Sequence, residues 1–289
     1  MMLTDTTLKE TLAKQLSELE KHFSADCAFY FGEIHPYIIK VFRDFLEKLP
    51  GDEKRQERLV LFLNTPGGSA EAVEKLVEII RFHYKEFCVV VPDFALSAGT
   101  ILCMAADRIF MDYSSSLGPI DPQVFNGKEW VPALGYLDKV NEMLEKAKKN
   151  ELTNAEFLVL QSLDLAQLRR YEQARDLTVT LLKKWLVEFK FRDWHTHRTD
   201  AAKKGKPVTT EEKQARAEEI ARILGDNKIW HSHGRMIGSD TLQRLLRLEI
   251  DDYSRDSILR PLVRSYNDLL TEYIAQRNIK LFLHSRSYF

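Results

Sequence analysis

Two short stretches carry residue types spaced for chemistry. In Asn64-Thr65-Pro66-Gly67-Gly68 a glycine pair follows the apolar run 59–63. Glycines leave their backbone N–H groups unshielded and take positive φ at no steric cost, so Gly67 and Gly68 stand where an anion-accepting nest could form. In Ala95-Leu96-Ser97-Ala98-Gly99-Thr100, Ser97 lies between small residues just after a second apolar run, 87–91. A serine at such a strand-to-helix junction has an unobstructed Oγ, and the helix N-terminus favours a developing negative charge. The chemistry this allows is attack by Ser97 with the nest receiving the charge. Each piece also has a plain reading, a turn for the glycines and a helix N-cap for Ser97. Their order along the chain is what points to a site.

The elements that hold these stretches follow from periodicity. Apolar residues at three- and four-residue spacing predict helices over 7–22 and 35–49, the second stopping at Pro50-Gly51. Helices are also predicted over 70–84 and, from small and apolar residues, over 98–106. Strands are predicted at 27–31, 59–63, 87–91 and 108–111; the middle two are wholly apolar, as parallel strands buried on both faces are. This alternation implies right-handed βαβ units and a parallel sheet. From Asp138 the pattern becomes helical and poor in Gly and Pro, with one long run over 155–191 and a loop at 198–210. Thr209 and Glu212 form a capping box for a helix that ends near Leu224, with Gly225 as its C′ residue. Further helix is predicted over 239–277, with Pro261 in a first turn or at a kink. The division expected is an α/β core over 1–137 and a helical region over 138–289.

Composition narrows the function classes. Among 289 residues, 42 Lys and Arg balance 43 Asp and Glu for a net charge of -1, which removes the electrostatic case for a nucleic-acid binder. A hydrophobic share of 44% against 29% charged residues excludes disorder over most of the length. Cys27, Cys88 and Cys103 each lie in apolar runs, as small buried side chains of a reducing compartment do. No apolar stretch reaches the ~20 residues that span a bilayer, and the N-terminus lacks the apolar core of a signal peptide. The expectation is a cytoplasmic protein. His195 and His197, and likewise His231 and His233, stand two apart, a spacing that converges only in extended backbone. Without acidic or cysteine residues at companion spacing, no metal site is expected. The charged helices beyond Asp138 read as solvated faces whose apolar stripes are core or subunit contacts.

Residues 27–123 resemble the Clp protease and signal peptide peptidase superfamily, and LNTPGG, ALSAGT, AADRIFM and SSLGPIDPQ look like its serine dehydrogenase proteinase family. His233-Gly234-Arg235-Met236-Ile237 more faintly resembles that family's C-terminal His-Gly motif. The resemblance implies a crotonase-like (ClpP-type) spiral of ββα units and a serine peptidase with Ser97 as nucleophile. It implies oxyanion donors at Gly68 and Ala98, with Gly67 shaping the turn. The histidine that Clp proteases carry soon after the serine is absent here. The order Ser, Asp, His proposed for the serine dehydrogenase proteinases falls on Ser97, Asp121 and His233. Signal peptide peptidases instead pair serine with lysine, which makes Lys139 the alternative base. Several members carry an N-terminal membrane anchor, and this chain departs from them there. No metal or organic cofactor is required. The partners implied are a peptide or protein substrate and further copies of the chain, through stripes such as Val140/Leu144 and Leu242/Leu245/Leu246. Two other readings stay open: a crotonase-type acyl-CoA hydratase or isomerase using the same nest, and an inactive peptide-binding or scaffold protein.

Overall fold

A computed structural model describes residues 3–49, 55–125, 130–198 and 202–288. The predicted stop at Pro50-Gly51 lies outside the described residues. Helix α1 (Leu3–Phe23) leads into β1 (Asp26–Gly32), α2 (Ile38–Lys48), β2 (Arg58–Asn64), α3 (Ala70–His83) and β3 (Glu86–Val91). Then come β4 (Phe94–Ala95), α4 (Ala98–Met104), β5 (Arg108–Met111), β6 (Ser116–Leu117), β7 (Gln123–Phe125) and β8 (Trp130–Pro132). The helical region comprises α5 (Ala133–Lys148), α6 (Asn154–Gln161), α7 (Leu165–Trp185) with a π-helical turn at Leu186–Lys190, α8 (Thr210–Gly225) and α9 (Asn227–Trp230). It closes with α10 (Ser239–Leu245), β9 (Asp251–Asp252), α11 (Leu259–Gln276) and β10 (Leu281–His284).

The central sheet runs β10-β1-β2-β3-β5-β9, parallel throughout except for β10. The apolar runs are continuous because side chains alternate between two covered faces. Leu59, Leu61 and Leu63 of β2 join one core with Phe87, Val89 and Val91 of β3 and with α2, α3, α4, α7 and α8. Val60 and Phe62 join the opposite core with Cys88, Val90 and helices α1 and α11. Cys27 and Cys88 are buried in this core and Cys103 in the first, and loss of solvation pushes their thiols up, Cys88 to about 12, so they pack rather than react.

Strands β1, β2, β3 and β5 each continue into a short second layer. Ile34 pairs with Gly68, Thr65 with Ala95, and Phe94-Ala95 with Ser116-Leu117, all parallel. This repeated strand, short strand, helix unit is the ββα spiral expected, and its second layer climbs from the carboxyl ends of the parallel strands. Open α/β sheets place their ligands at those ends.

The C-terminal region departs from the sequence expectation in four places. The run 155–191 is broken between α6 and α7, because the Asp164 carboxylate accepts the Ala166 N–H at 2.8 Å and caps a new helix. The stretch 239–277 is split by β9, although Pro261 does sit in the first turn of α11. The Thr209–Glu212 capping box forms, but Gly225 remains helical, because Asp226 ends α8 and at once caps α9. The boundary expected at 137/138 falls inside α5, and both edge strands, β9 and β10, come from the later region. Among the described residues no helix is long and apolar enough to cross a membrane.

Candidate active site

Ser97 sits in the turn between β4 and α4 with φ 51° and ψ -115°. Non-glycine residues avoid positive φ, and a position of this kind costs about 1–3 kcal/mol unless its surroundings enforce it. They do so here. The β2 chain end holds β4 by Thr65 N–H to Phe94 O and Leu96 N–H to Thr65 O, both 3.0 Å. Behind the turn, the buried Thr100 hydroxyl lies 2.8 Å from Ala95 O and 2.9 Å from Gly118 O, and accepts the Gly118 N–H. Ser97 starts α4, yet its hydroxyl makes no capping bond. The neighbouring serines differ: Ser69 Oγ accepts the Ala72 N–H as a true N-cap, and Ser115 Oγ donates to Val91 O. The plain reading of Ser97 as a capping residue is therefore absent.

The glycine pair lies directly against this turn. Gly67 has φ 112°, and a Cβ placed on it would stand 2.8 Å from Ser97 Cβ and 3.2 Å from Ala98 N. Gly68 has φ 143°, and a Cβ there would collide with the Ile34 carbonyl. Only glycine fits both demands. The turn is held by Thr65 Oγ1, which accepts the Gly67 N–H at 3.1 Å, and by Ile34 N–H to Gly67 O at 2.8 Å. The Gly67 amide is therefore spent on the turn. Among the described residues the N–H groups of Gly68 and Ala98 have no backbone acceptor. These two amides can bind a developing oxyanion, whereas Gly67 shapes the turn that brings it past Ser97.

Asp121 and His233, 112 residues apart, meet: His233 Nδ1 lies 2.8 Å from Asp121 Oδ1. Leu117 pairs with Ile237, and Gly118 packs on Leu96, so both strands of this contact run beside the Ser97 turn. Asp121 is fully buried, and a proton held on Nδ1 by this carboxylate would leave Nε2 as the basic nitrogen. Lys139, the alternative base, is 61% exposed on α5 and paired with Glu142 at 3.0 Å. His197 is bonded to Glu212 at 3.1 Å, and among the described residues no three His, Cys, Asp or Glu side chains gather as metal ligands would.

The family model of ClpP-like SDH-type serine proteinases matches residues 52–220. The chain belongs to this family. The match includes Gly67, Gly68, Ser97 and Asp121, and ends before His233. Two uncharacterized proteins of Methanocaldococcus jannaschii are similar, one 42% identical over 64 residues (22% of this chain and 22% of its own). The other is 30% identical over 113 residues, 39% of this chain and 35% of its own. The chain thus spans about a fifth and about a third of the curated relatives it matches. Among solved structures, a mutant of the 1510-N membrane-bound stomatin-specific protease aligns over 81% of each chain with 13% identity and a TM-score of 0.45.

Two residues escaped the sequence reading. Gln123 Nε2 donates to Asp121 Oδ2 at 3.0 Å. Asn227, its amide nitrogen turned to the carboxylate, donates to the same oxygen at 3.0 Å while its own oxygen accepts the Gly135 N–H at 3.0 Å. The only signal was the placing of Gln123 in SSLGPIDPQ; Asn227 carried none.

Proposed function

We propose that this member of the family is a serine peptidase that hydrolyses peptide bonds through an acyl-enzyme on Ser97. His233 Nε2 takes the Ser97 proton as Oγ attacks the scissile carbonyl carbon. The carbonyl oxygen, now negative, is held by the Gly68 and Ala98 N–H groups, a pair of donors worth ~3 kcal/mol or more of transition-state stabilisation. Collapse of the tetrahedral species breaks the C–N bond, and the leaving amine takes the proton from His233. Water then attacks the Ser97 ester, giving its proton to His233, and the acid product leaves with Ser97 restored. Asp121 orients the imidazole and stabilises its charged form.

The observation that carries this reading is the Ser97 turn: strained backbone, an uncapping hydroxyl and two acceptor-free amides from separate segments, packed against a glycine pair. A strained strand-to-helix turn with an amide from the following residue is a recurrent nucleophile geometry. The exposed, ion-paired Lys139 favours His233 over the lysine as base. A fluorophosphonate probe tests the reading: it should label wild type at Ser97 and leave Ser97→Ala unlabelled. Absence of labelling in the folded wild type would support an inactive binding protein, and acyl-CoA turnover indifferent to Ser97→Ala would support the hydratase reading. The proposed partners are a peptide or protein substrate and further copies of the chain.

A further inference from the structure

Asp121 is a fully buried carboxylate whose ion-pair partner among the described residues is His233. A buried charge needs several donors, since each missing one leaves a lone pair desolvated. Here two neutral amides supply them, both at Oδ2, so that Oδ1 is left for the imidazole. Their origins differ. Gln123 is two residues from Asp121 and holds the carboxylate plane from its own loop. Asn227 opens α9, the segment that leads to His233. Its oxygen is fixed by Gly135 in the first turn of α5, and three residues on, the buried Trp230 indole donates to Ile223 O at 2.7 Å. His231 then turns the chain with φ 62° and delivers His233 back to the carboxylate that Asn227 already holds. One side chain therefore grips Asp121 and registers the His233 segment at the same time.

We propose that Asn227, assisted by Gln123, is a positioning residue that sets the Asp121–His233 pair by clasping Asp121 Oδ2. This rests on the reading of His233 as the base for Ser97. The clasp acts through the carboxylate, so its removal lets the carboxylate turn about its Cβ–Cγ bond and the imidazole lose its fixed orientation.

A double-mutant cycle on the full chain tests it. Asn227→Ala should lower kcat for peptide hydrolysis, and the rate of fluorophosphonate labelling, roughly ten- to a hundredfold with KM unchanged, as loss of a hydrogen bond to a charged group does. In an Asp121→Asn background the same substitution should change the labelling rate less than twofold, because the group it acts through is already altered. An equal loss in both backgrounds would mean a merely structural role and would overturn the proposal, as would a wild-type rate in Asn227→Ala. If Asn227→Ala does not fold, Gln123→Ala carries the same cycle with the same two outcomes. His233→Ala separates the layers of the argument. Wild-type turnover there removes the base and the clasp together, whereas an inactive His233→Ala beside a fully active Asn227→Ala removes the clasp alone.

Discussion

Gly67 and Gly68 should be the least replaceable residues beside Ser97. Gly67→Ala drives a methyl into Ser97 Cβ at a φ that alanine avoids, so labelling of Ser97 should fall at least tenfold. Stability should fall by about 1–3 kcal/mol, which thermal melts and labelling rates would measure; a wild-type labelling rate would show that the turn does not shape the site. The two candidate bases separate as sharply. Lys139→Ala removes an exposed, Glu142-paired side chain and should leave turnover within twofold, whereas His233→Ala should abolish it. Full activity in the histidine variant with loss in the lysine variant would reverse the assignment. Ser97 and the glycine pair were legible in sequence because backbone strain and small neighbours are local properties. Asp121 and His233 were reachable only through resemblance, since their contact spans 112 residues. Asn227 was invisible: an amide acquires its role from where it lands, and no spacing announces that.

The last strand, β10, holds a buried switch of stability. His284 is 2% exposed, lies 2.7 Å from the Tyr266 hydroxyl, and burial pushes its pKa down to about 4. A base held neutral in the folded state is charged first in the unfolded chain, so stability is intact above the ordinary histidine value near 6.5. It falls as pH drops from there towards 4, by up to roughly 3 kcal/mol in all. Urea unfolding at pH 7 and at pH 4.5 should show this loss in wild type and a flatter profile in His284→Gln. Equal pH dependence in the two would contradict the burial argument. Strands such as β2 and β3 were readable because two covered faces demand unbroken apolar runs. β9 was not, since its two residues, Asp251 and Asp252, carry no apolar signature, and the Asp251 side chain joins β5 only through an ion pair with Arg108. The break between α6 and α7 turns on the Asp164 cap within an otherwise helical period.

Among the described residues, a run of exposed apolar side chains lies on the α5–α7 arm. Helix α6 has no buried residue, and Phe157, Leu158 and Val159 are each at least half exposed, with Leu165 at 77%. Contiguous apolar surface of this sort marks a contact site, and self-association is the reading proposed. Light scattering at micromolar concentration should give a multiple of 33.6 kDa, and Leu158→Glu should shift it towards the single-chain mass; a clean single-chain mass for wild type would refute assembly. The stripes named from sequence were a poor guide to this face. Val140, Leu242 and Leu246 are covered by the chain's own core, and Leu144 and Leu245 remain about half exposed. Amphipathic spacing states that a face will be covered and is silent about what covers it.

The reaction proposed stands or falls with the Ser97 hydroxyl, and one measurement reads it: fluorophosphonate labelling of the folded chain followed by peptide mapping of the adduct. A single adduct on Ser97, lost in Ser97→Ala with the melting temperature unchanged and slowed in His233→Ala, is the result expected. Labelling that persists in Ser97→Ala, or an adduct mapped to Ser69 or to Ser114, Ser115 or Ser116, would contradict it.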